Sequence, residues 1–172
     1  MEHDFKDIKE YHNGTWDSVH EHRGHGFAIC YDTSKVEIIE DDFDIVFEDL
    51  EIFPVGMKIG NERVLLVLIY RPPDGPKLPF LYQLHHQVNG LPRQNYDRLI
   101  VLGDFNLDQR LPEHRDSFIP FCEHFEFIQR STWSTHRYGG ILDLVFDTDQ
   151  SKQPVDWIPS PYSDHFVLLI EL

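Results

Sequence analysis

Two stretches of this chain are too apolar to have a wet side. Arg63-Val-Leu-Leu-Val-Leu-Ile-Tyr70 and Leu99-Ile-Val-Leu-Gly103 are apolar throughout between their ends. A strand wet on one face alternates apolar with polar residues, whereas a continuous apolar run belongs to the middle of a sheet covered on both sides. Two such strands demand a layered fold. Arg71-Pro-Pro-Asp-Gly-Pro76 cannot continue a ladder and must turn after the first. Leu78 to Val88 then carries a helical pattern stopped by Asn89-Gly90, which is material for one covering layer.

Further strands fit Gly26 to Tyr31, Val36 to Glu40, and Phe43 to Phe53 in two pieces. Eight carboxylates lie between Glu37 and Glu51, interleaved with apolar residues, which suits a sheet with one solvated face better than a cation site. Asp116 to Phe127 reads as an amphipathic helix interrupted at Pro120. Ile141 to Phe146 and Phe166 to Leu172 are the closing strands. Residues 1–23 form a polar, poorly ordered leading segment. Its scattered histidines (His3, His12, His20, His22, and His25 just beyond) follow no metal-ligand spacing. The expected organisation is one domain over residues 24–172.

Charge and cysteine content narrow the function. Fifteen Lys and Arg against thirty Asp and Glu leave a net charge of −15 over 172 residues. Such a charge repels a polyanion at long range, so a broad basic nucleic-acid clamp is excluded. Chemistry on nucleic acid would need metal ions or local basic spots. Arg71, Arg93, Arg98, Arg130 and Arg137 are the candidates for phosphate contact, against the commoner role of surface arginine. Two cysteines make neither a disulfide framework nor a sulfur-rich zinc site, and they suit a reducing compartment. No apolar run spans a membrane and the polar start is not a secretory signal, so an intracellular location, nucleus or cytoplasm, is expected.

The remaining polar residues of interest stand at the ends of apolar strands. Tyr70 and Arg71 follow one strand, Asp104 and Asn106 another, and Ser163-Asp-His165 precedes the last. Rigid strands aim polar tips at one rim in this way. Singly, each has an ordinary structural reading as a turn or a satisfied histidine. Asp143 differs, because a carboxylate inside Ile-Leu-Asp-Leu-Val-Phe must be paired, and His165 is its natural partner. Two aspartates with an Asn and a His offer hard oxygen ligands for Mg²⁺ or Mn²⁺ and an imidazole for an anion.

Ile100-Val-Leu-Gly-Asp-Phe-Asn106, Leu142-Asp143 and Ser163-Asp-His165, in that order, resemble the endonuclease/exonuclease/phosphatase superfamily. Leu68-Ile-Tyr-Arg-Pro-Pro73, Phe127-Ile-Gln129, Thr132 and Gly140-Ile-Leu-Asp-Leu-Val-Phe146 are similar to the endonuclease domain of LINE-type non-LTR retrotransposons, as is the glycine-rich Gly24-His-Gly-Phe-Ala-Ile29. The resemblance implies an α+β fold, a four-layer sandwich of two packed, mostly antiparallel sheets with outer helices. It implies divalent-metal-dependent phosphodiester hydrolysis with Mg²⁺ or Mn²⁺, DNA as substrate, and a reverse transcriptase domain in the parent polypeptide. Asp104 would activate the attacking water, and Asn106 would orient it. His165, backed by Asp143, would meet the scissile phosphate, and Tyr70 would hydrogen-bond a phosphate oxygen. Arg71 and Thr132 would bind substrate, and Asp164 with Asp104 would hold metal.

One departure qualifies this expectation. Relatives open with strands ending in an Asn and then a metal-binding Glu, and no such strands precede Gly24. The sequence therefore reads as truncated at its N-terminus, with Glu2 near the distance at which that metal-binding Glu could fall but without the strand that would fix it. Two other functions stay open: a catalytically dead remnant serving as a binding or scaffold domain, and a phosphatase acting on a small phosphorylated substrate.

Overall fold

The computed structural model describes residues 8–12, 28–39, 41, 43, 51–170 and 172. In chain order the strands are β1 (Ile8–His12), β2 (Ala28–Asp32), β3 (Val36–Ile39), β4 (Glu51–Ile59), β5 (Glu62–Tyr70), β6 (Arg98–Asp104), β7 (Ile128–Gln129), β8 (Asp143–Asp147), β9 (Asp156–Pro159) and β10 (Phe166–Leu169). The helices are α1 (Lys77–Gly90), α2 (Pro112–Arg115) and α3 (Ile119–Phe125). The two apolar runs are neighbouring central strands of a six-stranded sheet ordered β3-β4-β5-β6-β8-β7. They pair in parallel while the other ladders are antiparallel, because α1 carries the chain back across the sheet between them.

Alternation along β5 divides the core into layers. Leu65, Val67 and Ile69 face Phe80, Leu84 and Val88, the buried stripe of α1 at i, i+4 and i+8. Val64 and Leu66 turn the other way, toward Leu168 and Ile170 on the β10 side. Leu66 and Leu68 also meet Phe53, Val55, Met57 and Ile29 of the β2 side. The antiparallel ladders β1–β2 and β9–β10 thus supply a second β layer. This is an α+β sandwich. Among the described residues no helix is long and apolar enough to cross a membrane.

Several elements differ from the expectation, each for a local reason. β4 runs on through Pro54 to Ile59, past the Phe53 at which the strand was expected to end. β3 pairs only with Gly56 to Ile59, so the missing amide of Pro54 lies beyond that ladder. Pro120 opens α3 as its second residue instead of interrupting a longer helix, a position where no intrahelical amide is needed. Within the leading segment expected over residues 1–23, Ile8–His12 forms β1, paired with β2. The short β9, Asp-Trp-Ile-Pro with every residue exposed, was not expected at all. The glycine-rich stretch at residues 24–27 and residues 44–50 of the expected strand pieces lie outside the described residues.

At the start of β6 and the end of β8, a buried ion cluster anchors the sheet. Asp147, fully buried, accepts hydrogen bonds from Arg98 Nε at 2.9 Å, Arg98 Nη2 at 2.6 Å and Arg130 Nη1 at 2.6 Å. Both arginines are buried as well, so neither is a phosphate contact. Burial alone would raise the Asp147 pKa, but the two guanidiniums and the Asp149 amide hold it below the ordinary carboxylate value. A carboxylate depressed in the fold stabilises it above the unfolded pKa, and that contribution fades as pH falls through the folded value. Asp147→Ala, which strands two buried cations, is expected to cost about 3–5 kcal/mol in urea unfolding at neutral pH. The difference from wild type should shrink on acidification below about pH 4.

Candidate active site

The opposite rim of the same strands gathers the polar residues. Strand register does the first part of the work. Tyr70 of β5 stands beside Asp104 of β6, and Asp104 stands beside Asp143 of β8. Gly103, just before Asp104, has φ +147°, and a Cβ there would lie 1.8 Å from the Ile69 carbonyl oxygen. Only glycine lets β6 press so close to β5 at this point. Phe105, just after Asp104, is fully buried, its ring packed edge-on to Phe80, Phe118 and Phe146. Asp104 is therefore pinned from both sides.

Asn106 sits at φ +46°, a left-handed conformation that Asn tolerates better than most residues. Its backbone amide donates to Asp104 Oδ1 at 3.0 Å, and its Nδ2 donates to Asp104 Oδ2 at 3.0 Å and to the Arg71 carbonyl at 2.8 Å. Arg71 itself is buried. Its guanidinium donates to the carbonyls of Asn106 (3.2 Å) and Gly75 and lies over the Phe80 ring. It braces the loop that presents Asn106 and is turned away from solvent.

His165 comes from the start of the last strand. Its Nδ1 lies 2.9 Å and 3.1 Å from the two oxygens of Asp143, and its Nε2 lies 3.9 Å from Asp104 Oδ2. An ionised Asp143 accepts from Nδ1–H, which leaves Nε2 on the side of Asp104. Burial pulls the imidazole pKa down, but the hydrogen bond and charge of Asp143, with Asp104 and Asp164 behind it, leave it above the ordinary value. Asp104 is also raised, first by burial and then by the nearby charge of Asp143, against the hydrogen bonds from Asn106.

The structure brings Tyr70, Asp104, Asn106, Asp143 and His165 to one rim. Asp164 joins them through His136, whose Nε2 lies 3.1 Å from Asp164 Oδ2, and whose ring packs edge-on to His165 at 4.9 Å. Thr132 is exposed on the loop leading to β8, with no hydrogen bond to this set. Glu2 lies outside the described residues. Of the five candidate arginines, Arg71 reaches the rim from beneath through the Asn106 carbonyl, and Arg137 donates its amide to the Asp164 carbonyl (2.7 Å) and Nη2 to the Ser163 carbonyl (3.2 Å). Arg93 instead covers the Phe125 ring.

Two residues escaped the sequence reading. Thr135, almost fully buried, accepts at Oγ1 from the amides of Leu142 (2.9 Å) and Asp143 (3.0 Å), and its carbonyl accepts from Phe166 at 2.8 Å. It ties the strand carrying Asp143 to the strand following His165. His136 is the other. Both lie in a polar loop where sequence offers no means of choosing them over Thr132 or Ser134.

A divalent cation fits the donor chemistry. Asp104, Asp143 and His165 place ligand atoms within 4.8 Å of one another, and the charge of Asp143 adds to burial in raising the Asp104 pKa. A cation would offset that charge. Asp164, expected beside Asp104 as a ligand, falls in a second group with His136 and His165.

No family model matches the sequence, and no curated protein matches it either. Solved structures do match in fold. The endonuclease domain of TRAS1, a telomere-specific non-LTR retrotransposon, superposes with a TM-score of 0.64 at 18% identity, over 94% of this chain and 76% of that one. An endonuclease/exonuclease/phosphatase family protein from Bacteroides thetaiotaomicron gives 0.60 at 16% identity, covering 94% and 71%. A mannosyl-6-phosphatase from the same organism gives 0.55 at 16% identity, covering 83% and 70%. The chain has the fold of endonuclease/exonuclease/phosphatase family proteins.

The His165 assignment can be checked by titration. Asp143→Asn removes the main influence that raises the imidazole, so the His165 midpoint read by NMR should fall. A raised histidine pKa stabilises the fold below the unfolded value of about 6.5 and ceases to do so as pH rises through the folded value. The stability gap between wild type and Asp143→Asn should therefore be widest at acid pH and narrow toward alkaline pH.

Proposed function

We propose that the chain hydrolyses phosphodiesters with the help of a divalent cation, and that its substrate is DNA, which it nicks. The Asp143–His165 pair, facing Asp104 at the end of paired strands, is the observation that carries this reading. Asp104, with a pKa above that of an ordinary carboxylate, is suited to take a proton from an attacking water. Asn106 fixes both oxygens of Asp104, and its Oδ1 remains to receive that water or to face the phosphate. His165, protonated more readily than a free imidazole, donates from Nε2 to an oxygen of the scissile phosphate where negative charge builds. Tyr70, next to Asp104 in register, is placed to add a hydrogen bond to the same phosphate. Asp104 with Asp143 would hold Mg²⁺ or Mn²⁺, which when bound supplies positive charge to the phosphoryl oxygens.

The fold likeness to the TRAS1 domain, an endonuclease domain of a non-LTR retrotransposon, supports DNA as the substrate and a retrotransposon origin; a reverse transcriptase in the same polypeptide rests on the sequence resemblance alone. The net charge of −15 favours a second reading, hydrolysis of a small phosphorylated molecule, in which no polyanion has to approach.

Relaxation of supercoiled plasmid with Mg²⁺ or Mn²⁺, run beside a phosphomonoester assay, separates the two. Nicking is expected, and Asp104→Ala or His165→Ala should lower its rate by roughly 10²–10⁴-fold. Turnover of the monoester alone would favour the second reading. Nicking untouched by either substitution would place the chemistry elsewhere.

A further inference from the structure

His165 belongs to two groups of metal-ligating atoms, and they differ in chemistry. With Asp104 and Asp143 it joins two carboxylates, a hard set suited to Mg²⁺. With His136 and Asp164 it makes a set of two imidazoles and one carboxylate, again with ligand atoms within 4.8 Å of one another. Imidazole-rich sets favour the later first-row ions, for which Mg²⁺ is a poor competitor.

We propose that His136, Asp164 and His165 form a binding site for a transition-metal ion of the Zn²⁺ class. Three features support it. His136 Nε2 and Asp164 Oδ2 stand 3.1 Å apart, close to the roughly 3.3 Å that separates two ligands on a tetrahedral zinc with bonds near 2.0 Å. His165 offers Nε2 because its Nδ1 is held by Asp143 at 2.9 Å, the carboxylate–histidine arrangement that fixes the tautomer of zinc-bound imidazoles. Asp164 has a half-exposed carboxylate that an ion from solvent can reach. Asp104 Oδ2, 3.9 Å from His165 Nε2, stands where a further ligand could close the shell.

The protons balance. His136 Nδ1 accepts the Tyr138 amide at 3.3 Å, so its ring proton lies on Nε2 and points at Asp164. On metal binding that proton moves to Nδ1, the long Tyr138 contact is given up, and the neutral ring coordinates through Nε2. The main-chain bridge between His136 and His165, with the Phe166 amide on the Thr135 carbonyl, holds the two imidazoles together before any ion arrives. Through the hydrolytic reading, on which this consequence alone rests, such an ion occupies the nitrogen that meets the phosphate. Zn²⁺ should therefore inhibit the Mg²⁺-supported reaction.

Co²⁺ titration of the whole chain, followed by visible absorption and by Zn²⁺ displacement, tests the binding directly. His3, His12, His20, His22 and His25 also offer nitrogens, so the decisive quantity is the difference between wild type and variants. Wild type should show the absorption of a low-coordinate Co²⁺ site. His136→Gln and Asp164→Asn, checked for folding by circular dichroism, should each lose at least about tenfold in affinity, and Asp143→Asn roughly 10–100-fold. An unchanged spectrum and affinity in folded His136→Gln, or no such absorption in wild type, would overturn the proposal. Loss of the Co²⁺ signal in His136→Gln, from a chain that hydrolyses no phosphate ester, would uphold the metal site and refute the hydrolytic reading. Zn²⁺ inhibition that disappears in His136→Gln would uphold both.

Discussion

The pairing of three strand ends underlies everything at the rim. Parallel pairing of β5 with β6 sets Tyr70 beside Asp104, and antiparallel pairing of β6 with β8 sets Asp143 on the other side of Asp104. Side-chain direction in a sheet repeats every two residues, so a slip of one residue in either ladder would send these groups to opposite faces. Two devices oppose a slip. Gly103 allows a backbone approach that no other residue could make, and the buried Asp147 ion cluster locks the far ends of β6 and β8. The ends of β6 lie about 20 Å apart at a rise of roughly 3.3 Å per residue. One end carries buried charge that holds the sheet and the other carries the half-exposed charge of the candidate site.

The two charge clusters behave differently because solvent reaches only one of them. Around Asp147 two guanidiniums enclose one carboxylate, and the hydrogen bonds outweigh burial, so the acid stays ionised. Around His165 three carboxylates surround one imidazole, and the excess is negative. Burial, with the charge of Asp143 behind it, raises the Asp104 pKa, and against burial the carboxylates raise the affinity of His165 for its proton. A site with surplus negative charge invites a cation, whereas a neutral site of the same shape would not. An overall charge of −15 in the chain makes the cation still more needed if a phosphate is to enter.

Much of this was legible in the sequence, and the limits follow from physics. Continuous apolar runs marked β5, β6 and the interior of β8 because a doubly covered strand admits no polar residue. Asp143 betrayed its partner because a carboxylate among Ile, Leu and Val has to be paired. Four-residue β9 was too short and too exposed to carry any such mark, and the run of β4 through Pro54 past Phe53 depends on pairing with a strand elsewhere in sequence. The roles of Arg71 and Thr135 were equally hidden. Arg71 is an ordinary arginine until the fold closes over it, and Thr135 gains meaning only when the loop returns to Asp143. Side-chain contacts made across loops leave no periodic trace.

The central claim is that Asp104 and His165 act on one substrate as a single unit. A double-mutant cycle on kcat/KM for plasmid nicking, with Asp104→Asn, His165→Ala and the double variant, tests it most directly. Groups that act together lose nearly everything when either is removed, so the double variant should be little worse than the more damaged single one. Losses that multiply independently, or a rate indifferent to both substitutions, would contradict the account.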